Sequence, residues 1–299
     1  KITEKESKNF PLHAMTICPM RISRPEQLDY RKFFNPQNHF NATQTECEYL
    51  FANIHWCGKE MRVVENYMND FCLNHFPFLD KVNVLDVVNR SGYLNEELFS
   101  SKVSDMFTRV ITPLGVCFSY NMQDFSGIFN ENIHDDFQCY KNPRHPEIEW
   151  NVEKGYFSEH STYPENASKK SLKFATMMNP LDANNCCSQR SICVFFHLPN
   201  EIPSWSSRFF VFSFGSQTKI KIFMKSYRTH DNMRSYSPDI RNCYFDGEKK
   251  LEFFKTYSRS NCIDECKTNV LLRACGCVNF WMPRNKTTRV CRFSDLECL

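Results

Sequence analysis

From Cys243 to Leu299 the chain reads CYFDGEKKLEFFKTYSRSNCIDECKTNVLLRACGCVNFWMPRNKTTRVCRFSDLECL, a stretch that holds seven of the 16 cysteines. These cysteines follow the pattern C-x18-C-x3-C-x8-C-x-C-x13-C-x6-C. Four Asn-x-Ser/Thr sequons accompany them, at Asn41, Asn89, Asn166 and Asn285. Dense cysteines together with glycosylation acceptors are typical of an oxidising, extracellular compartment. We therefore interpret the cysteines as disulfide crosslinks and the four asparagines as glycosylation sites.

The composition excludes several classes of protein. The 299 residues carry a net charge of +3 from 37 basic and 34 acidic side chains, and the two signs are interspersed. A nucleic-acid-binding protein shows a basic stripe or face, which is absent here. Aromatic residues make up 15% of the chain and only 8 residues are Gly, which favours an ordered, strand-rich body.

No run of apolar residues approaches the 18 or so that a membrane-spanning helix needs. The richest run, Phe209 to Phe214, is only six residues long. The charged stretch from Lys1 to Lys8 is unlike a signal peptide, because no apolar region follows it. We expect a secretory or membrane-anchoring segment outside these residues.

The order of periodic segments predicts a mixture of strands and helices. Ala14 to Cys18 is an early strand, and residues 26 to 108 carry apolar positions at helical spacing. Val116, Phe118 and Tyr120 alternate with polar neighbours, which predicts a half-buried strand. A buried strand is predicted over Ile192 to Leu198. A hairpin is predicted from Arg208 to Phe214 and Thr218 to Tyr227. In its second strand, Lys219, Lys221 and Lys225 form a solvent-facing side.

Two helices are predicted near the C-terminal cysteines. The first covers Leu251 to Tyr257, and the second covers Asn261 to Ala274, with Ser260 as its N-cap and Gly276 as its end. Asp264 and Glu265 lie in the first turns of the second helix, where the helix dipole favours acidic residues. Cys262 and Cys266 lie one turn apart on the second helix. Their β-carbons would be about 6 Å apart, beyond the span of a disulfide, so they should not bond to each other.

The spacing of the cysteines disfavours a metal site, and the sequence contexts of the histidines disfavour a catalytic site. The chain lacks the paired C-x2-4-C knuckles of structural zinc sites, and we predict neither a metal nor another cofactor. The nine His are scattered, none lies in a G-x-S-x-G or H-E-x-x-H context, and no Gly-rich phosphate loop occurs. We therefore predict that the protein is not an enzyme. His197, in an apolar strand, is interpreted as a neutral, hydrogen-bonded core residue rather than a proton sensor.

Several motifs resemble the degenerin/epithelial sodium channel family. F-P-L-H-A-M-T-I-C (10 to 18) is similar to the segment after that family's first transmembrane helix, and T-P-L-G-V-C-F-S-Y-N (112 to 121) to a family strand. W-N-V-E-K-G-Y (150 to 156) and F-F-H-L-P-N-E-I-P (195 to 203) resemble the insect branch, the pickpocket subunits. R-N-C (241 to 243), the run from Phe253 to Cys266, C-G-C (275 to 277) and M-P-R (282 to 284) resemble its cysteine-rich thumb.

The resemblance implies an α+β, disulfide-rich ectodomain. A central antiparallel β palm and β-ball would combine with a helical finger and knuckle and a helical thumb. Four segments correspond to these parts: a palm entry strand (1–30), a finger-like helical insertion (31–108), palm and β-ball strands with loops (109–242) and the thumb (243–299).

The resemblance also implies a disulfide pattern. Cys18 pairs with Cys117, Cys275 with Cys298, and Cys277 with Cys291. Cys243, Cys262 and Cys266 would pair with cysteines that the family carries beyond Leu299, so we expect them to have no partner within this chain. The resemblance leaves seven cysteines without assigned partners: Cys47, Cys57, Cys72, Cys139, Cys186, Cys187 and Cys193. Because seven is odd, one of them is free, intermolecular or wrongly placed in this set.

Two further sites are suggested. Glu131, Asp135, Asp136 and Glu159 could contribute to an acidic, cation- or proton-sensing pocket between finger and thumb, as in acid-sensing relatives, or form a solvated loop face. Trp281, beside Met282 and Pro283, is a candidate contact for relaying gating motion.

The function implied is that of a cell-surface channel subunit, seen as its extracellular domain. The assembly would be a homo- or heterotrimer, permeable to sodium ions, of the amiloride-sensitive type, and gated by an unknown extracellular ligand or by force, with a sensory role. The membrane would be crossed by segments outside this chain. Two alternatives remain: a secreted or shed cysteine-rich binding protein that recognises a peptide or small molecule, and a non-conducting auxiliary subunit.

Overall fold

The fold is described from a computed structural model. It describes residues 13–20, 24, 42–57, 68–100, 104–134, 150–151, 155–156, 175–176, 191–213, 215, 217–221, 229–295 and 298. Within these ranges an antiparallel sheet combines with short and long helices and four disulfides. The predicted α+β, disulfide-rich class is confirmed.

Among the described residues, five antiparallel strands form the main sheet: β1 (Ala14–Pro19), β2 (Phe107–Thr112), β3 (Gly115–Tyr120), β6 (Ser191–His197) and β7 (Arg208–Ser213). Their order in the sheet is β2-β3-β1-β6-β7. A separate pair joins β4 (Trp150–Asn151) to β5 (Gly155–Tyr156). The chain therefore brings β1 between two strands that follow it by about 100 and 180 residues.

Helices precede, interrupt and follow the sheet. The α-helices are α1 (Gln44–Cys57), α2 (Leu73–His75, continuing a π-helical turn over Met68–Cys72), α3 (Val84–Ser91), α4 (Asn95–Leu98), α5 (Phe125–Ile128), α6 (Pro238–Arg241) and α7 (Arg259–Cys275). Three 3-10 helices cover Pro77–Lys81, Asp231–Ser235 and Phe293–Asp295. No described helix is both long enough and apolar enough to cross a membrane.

Strand β3 is buried on both faces, so the prediction of a half-buried strand was wrong. Val116 and Phe118 pack with the helical segments, in one core cluster with Val87 of α3. Cys117 faces a second cluster, which contains Phe129 and Phe254. The polar side chains between them are buried because they have partners, as when Thr16 Oγ1 lies 2.9 Å from Ser119 Oγ.

The helical region packs closely on the sheet through Gly92, which follows α3. A β-carbon added at Gly92 would lie 2.3 Å from Val116 Cγ2, which is closer than real β-carbons approach other atoms. Glycine therefore allows α3 to contact β3. A disulfide, Cys47–Cys72, ties α1 to the turn before α2.

Strand β7 forms one edge of the described sheet, and its Phe209 and Phe210 are about half exposed. The predicted hairpin was wrong where its second strand is described, because residues 217–221 form no strand. All five of these residues are exposed, so the alternation of lysine and isoleucine has no buried face to fix a strand register. Residues 222–228, with Lys225, lie outside the described residues.

The predicted helix over Leu251 to Tyr257 was also wrong, since this segment is irregular, with bends on either side of a single bridge residue, Phe254. Its backbone pairs with the residues after α5: Phe129 and Phe254 form an antiparallel bridge, and Lys255 N donates to Ile128 O at 2.9 Å. Phe253 and Phe254 are both fully buried. Tertiary pairing and burial of these two rings override the helical spacing of the segment.

Helix α7 begins earlier than predicted. Its N-cap is Ser258, whose Oγ accepts a hydrogen bond from Asn261 N at 3.1 Å, so the prediction of Ser260 as the cap was wrong. A serine two residues further along lies inside the first turn and cannot cap it. Gly276 ends the helix at φ +65°, the left-handed conformation that glycine adopts without strain.

Candidate functional site at the junction of the sheet and helix α7

The loop after strand β6, residues 198–207, holds helix α7 through a buried carboxylate. Ser204 Oγ donates to Asp264 Oδ2 at 2.7 Å, and Ser206 Oγ lies 3.1 Å from both oxygens of the same carboxylate. Asp264 is 7% exposed. Burial raises the pKa of Asp264, while the two hydroxyl hydrogen bonds act in the opposite direction. The two serine hydroxyls therefore offset part of the cost of burying this carboxyl group.

A buried amide continues this contact along the helix. Asn261, fully buried on α7, donates from Nδ2 to Asn200 O at 3.2 Å and to Thr256 O at 3.1 Å. Both acceptors are carbonyl oxygens, so the orientation of the amide is fixed by its partners. Asn261 thus joins the loop, the irregular segment before α7 and the helix itself.

Glu201 lies beside this contact and is also buried. Its Oε2 accepts from Leu198 N at 3.0 Å, which closes the loop on itself. Burial is the main cause that raises the pKa of Glu201, and the neighbouring Asp264 raises it further, whereas hydrogen bonds from Leu198 N and Ser258 lower it. Two buried acidic groups therefore share the junction with hydroxyl and backbone donors.

A polar chain inside the sheet leads to the same loop. His197 Nε2 lies 2.8 Å from Thr16 Oγ1, which in turn lies 2.9 Å from Ser119 Oγ. His197 Nδ1 lies 2.9 Å from Leu198 O. Because a carbonyl oxygen can only accept, Nδ1 donates to Leu198 O and carries the proton of the neutral ring. Burial lowers the pKa of His197 to about 4, so the ring is neutral at physiological pH.

The sheet side of the junction also contacts the segment before α7. Asn130 donates from Nδ2 towards the carbonyl oxygens of Leu251 and Glu252, at 3.1 and 2.8 Å. Asn130 N donates to Phe253 O at 3.0 Å. Phe129 stacks on Phe254 with ring centroids 5.3 Å apart. These contacts fix the position from which α7 starts.

The far end of α7 is crosslinked to the chain that follows it. Disulfides join Cys275 to Cys298 and Cys277 to Cys291. Val278 and Val290 form a parallel bridge between the two arms of this loop. Helix α7 is therefore anchored at its start by buried polar contacts and at its end by covalent bonds.

The structure joins the three pairs of cysteines that the family resemblance implies, including Cys18 with Cys117. Cys243, Cys262 and Cys266 carry free thiols among the described cysteines, and so does Cys193. Of the cysteines left unassigned, Cys47 and Cys72 bond to each other. Cys139, Cys186 and Cys187 lie outside the described residues, and so does the side chain of Cys57.

The other predicted site residues are spread over the molecule. Glu131 is exposed, and Asp135, Asp136 and Glu159 lie outside the described residues, so no acidic pocket is assembled by those that are described. Trp281 is partly buried against the first core cluster and meets Phe280 edge-on, with ring centroids 4.9 Å apart.

Among the predicted glycosylation sites, Asn89 is exposed, and Asn285 is half-buried with its Nδ2 donating to Glu252 Oε1 at 2.8 Å. Asn41 and Asn166 lie outside the described residues.

The junction itself was not predicted. Asp264 was interpreted only as a charge in the first turns of a helix, and Ser204 and Ser206 drew no attention. Glu201 was quoted only as part of a motif, whereas the prediction that His197 is a hydrogen-bonded core residue is confirmed. The one available signal was Pro199 and Pro203 on either side of Glu201, which indicates a fixed loop but not what the loop contacts.

Comparison with known proteins gives the chain its family. Residues 1–299 match the amiloride-sensitive sodium channel family. Pickpocket protein 28 of Drosophila melanogaster is 31% identical over 215 residues, 67% of this chain and 35% of that protein. Pickpocket protein 11 of the same species is 30% identical over 109 residues, 36% of this chain and 20% of that protein. Sodium channel protein Nach of Drosophila ananassae is 35% identical over 68 residues, 22% of this chain and 13% of that protein.

The chain thus spans about a third of the length of Pickpocket protein 28. The match to the family model nevertheless extends over every residue of the chain, and it includes the cysteine-rich end and the strands on which the resemblance was based. The chain belongs to the amiloride-sensitive, or degenerin/epithelial, sodium channel family and is a pickpocket-like member of it.

Proposed function

We propose that this chain is the extracellular part of a subunit of a trimeric, sodium-permeable channel at the cell surface, of the amiloride-sensitive type. The observation that carries the proposal is the family match over residues 1–299, with relatives whose names include Pickpocket and sodium channel proteins. The pore and the membrane-crossing segments are assigned to parts of the protein outside this chain. The partners are other subunits, identical or different.

The proposed mechanism is a shift between two arrangements of the sheet and helix α7. An extracellular ligand or a force that favours one arrangement would move α7 and, through it, the pore segments. Two features support α7 as the moving part. Its end is stiffened by the bonds Cys275–Cys298 and Cys277–Cys291. Its start is held by hydrogen bonds, such as Ser204 to Asp264, which can break and reform.

Other features fit the same proposal. The free thiols of Cys243, Cys262 and Cys266 are assigned partners outside this chain, which would tie α7 to the following segment. Trp281 is proposed to relay motion, because it packs against the same core cluster as β3. Glu131 with Asp135, Asp136 and Glu159 stays a proposed acidic pocket. The glycosylation sites are proposed at Asn41, Asn89, Asn166 and Asn285.

The direct test is to express the full-length subunit in oocytes and record membrane current under voltage clamp. We expect a current that amiloride blocks and whose reversal potential shifts when external sodium is replaced by a large organic cation. Asp264→Asn should change the open fraction, while Val270→Ala, on the exposed side of the same helix, should not. Imaging in lipid should show three copies.

The alternatives give different results. An auxiliary subunit would give current only when a second subunit is expressed with it. The ion selectivity of that current would not respond to changes in the pore of the auxiliary subunit. A transcript without two apolar segments of about 20 residues flanking this region would identify a secreted or shed binding protein and overturn the proposal.

A further inference from the structure

Three cysteines lie side by side on neighbouring strands of the sheet. Cys18 in β1 is bonded to Cys117 in β3, and the adjacent residues Ile17 and Phe118 are paired in the strand register. On its other side Cys18 is paired with Cys193 in β6. Directly paired residues of antiparallel strands project from the same face of a sheet. The sulfur atoms therefore occupy one row in the order Cys117, Cys18, Cys193.

The spacing allows Cys18 to bond to either neighbour. The Cα atoms of Cys18 and Cys117 are 4.5 Å apart, the distance of a non-hydrogen-bonded pair. The N–H and C=O groups of Cys18 consequently point towards β6, which makes Cys18 and Cys193 a hydrogen-bonded pair with a Cα separation of about 5.5 Å. Both separations fall within the range of roughly 4.4 to 6.8 Å that disulfides span.

The row is buried in a core to which the segment before helix α7 also contributes. Cys18 and Cys117 are fully buried and Cys193 is 1% exposed. All three belong to the same core cluster as Phe253 and Phe254. Burial raises the pKa of Cys193 to about 12, so its thiol keeps its proton while the core is closed. A protonated thiol does not attack a disulfide, which explains how a free thiol and a disulfide coexist here.

We propose that Cys117, Cys18 and Cys193 form a thiol–disulfide exchange site, which moves the crosslink from β1–β3 to β1–β6 when residues 251–254 separate from the sheet. Water entering the core takes the proton of Cys193, and the thiolate attacks Cys18 Sγ. The Cys18–Cys193 bond forms as the Cys18–Cys117 bond breaks. Cys117 leaves as a thiolate and takes up a proton, so no oxidant or reductant is consumed.

The order of the row favours this exchange. Cys193 lies on the opposite side of Cys18 from Cys117, so the attacking and leaving sulfurs are arranged on either side of the sulfur under attack. The exchange would also have a structural consequence. Strand β6 ends at His197, and the loop that holds Asp264 follows it. The new bond would tie β6 to β1 and would release β3 from its crosslink to β1. The inference does not depend on ion conduction.

Peptide mapping of the full-length protein under non-reducing conditions tests the proposal. Trypsin separates the cysteines, because peptide 9–21 contains only Cys18 and peptide 191–208 contains only Cys193. In Cys117→Ser we expect these two peptides to be crosslinked. In the double variant Cys117→Ser/Cys193→Ser we expect Cys18 as a free thiol. Recovery of Cys18 and Cys193 as separate thiols from the single variant would overturn the proposal.

A second measurement uses the unaltered chain, since Cys117→Ser removes a buried crosslink. The protein is held at pH 8.5 in low urea, quenched with acid and alkylated. We expect the label on Cys193 to fall and label on Cys117 to appear, and we expect Cys193→Ser to abolish the label on Cys117. Label on Cys193 without any label on Cys117, at every urea concentration below unfolding, would show that the exchange does not occur.

Discussion

Ser204 and Asp264 are joined by a 2.7 Å hydrogen bond that connects the loop after strand β6 to helix α7 across 60 residues of sequence. Both residues are buried. Burial raises the pKa of the Asp264 carboxyl, and the serine hydroxyls oppose that rise. The other polar contacts between these two parts of the molecule, among the described residues, are those of Asn261, of Ser206 and of the pair Glu201 and Ser258.

The bond between Ser204 and Asp264 should contribute measurably to stability. We expect Ser204→Ala to lower the free energy of unfolding by about 1–3 kcal/mol, because it leaves a buried carboxylate short of a donor. Adding Ser204→Ala to Asp264→Ala should then cost much less, because the partner is already gone. Urea unfolding of the four proteins of this double-mutant cycle, followed by tryptophan fluorescence, gives the coupling energy.

An exposed pair serves as a matched control for that cycle. Ser126 Oγ donates to Asp124 Oδ1 at 2.8 Å on the surface of the molecule. Water replaces this bond when it is lost, so Ser126→Ala should change the stability by less than about 0.5 kcal/mol. Equal costs for the buried and the exposed serine would contradict the role assigned to the junction.

His197 should make stability depend on pH. Its pKa is about 4 in the folded chain, below the ordinary value of 6.5, because of burial. As pH falls below 6.5 the unfolded chain takes up the proton first, so stability that is present above pH 6.5 is lost between pH 6.5 and about 4. The loss is about 3 kcal/mol from this group. Unfolding free energies measured between pH 7 and 4 test the prediction.

The comparison that isolates this effect is His197→Gln. Glu201 and Asp264 have raised pKa values, so they stabilise the fold as pH falls, in the opposite sense to His197. They are present in both proteins and cancel in the difference. The difference between wild type and His197→Gln should therefore shrink as the pH decreases, while exposed His75→Gln should follow the wild type. Parallel curves for wild type and His197→Gln would contradict the prediction.

The parts of the fold that were predicted correctly depend on local signals. Strand β6 is an apolar run stopped by Pro199, and helix α7 has an apolar pattern that ends at a glycine. The segment from Leu251 to Tyr257 was predicted as a helix in the same way, yet it forms bends around a single β-bridge. Its partner, Asn130, is more than 100 residues away, and no local pattern reports that pairing.

The junction was missed for a related reason. Asp264 and Glu265 in the first turns of a helix are explained by the helix dipole alone, so nothing in the helix sequence requires a partner. The structure shows that the two differ: Asp264 faces the loop, and Glu265 accepts from Phe253 N at 2.9 Å. Which acidic residue faces which element depends on how the helix packs, and that is set by contacts distant in sequence.

Gly92 should tolerate no side chain while Val116 is present. Because an added β-carbon would lie 2.3 Å from Val116 Cγ2, we expect Gly92→Ala to destabilise the fold by about 1–3 kcal/mol through overpacking. Combining it with Val116→Ala should recover part of the loss, since the smaller side chain makes room. Thermal unfolding of both single variants and the double variant gives the answer. A double variant whose cost is the sum of the two single costs would show that the contact is not responsible.

The N-cap of helix α7 can be tested with two serines two residues apart. Ser258 Oγ accepts from Asn261 N and also hydrogen-bonds Glu201, so its removal leaves a backbone donor without a partner and a buried carboxyl with one donor fewer. We expect Ser258→Ala to cost about 1–2 kcal/mol of stability. Ser260 lies inside the first turn, where alanine is a better helix former, so Ser260→Ala should be neutral or slightly stabilising. Urea unfolding of both variants distinguishes the two caps, and a larger loss from Ser260→Ala would mean that the helix begins two residues later than the structure shows.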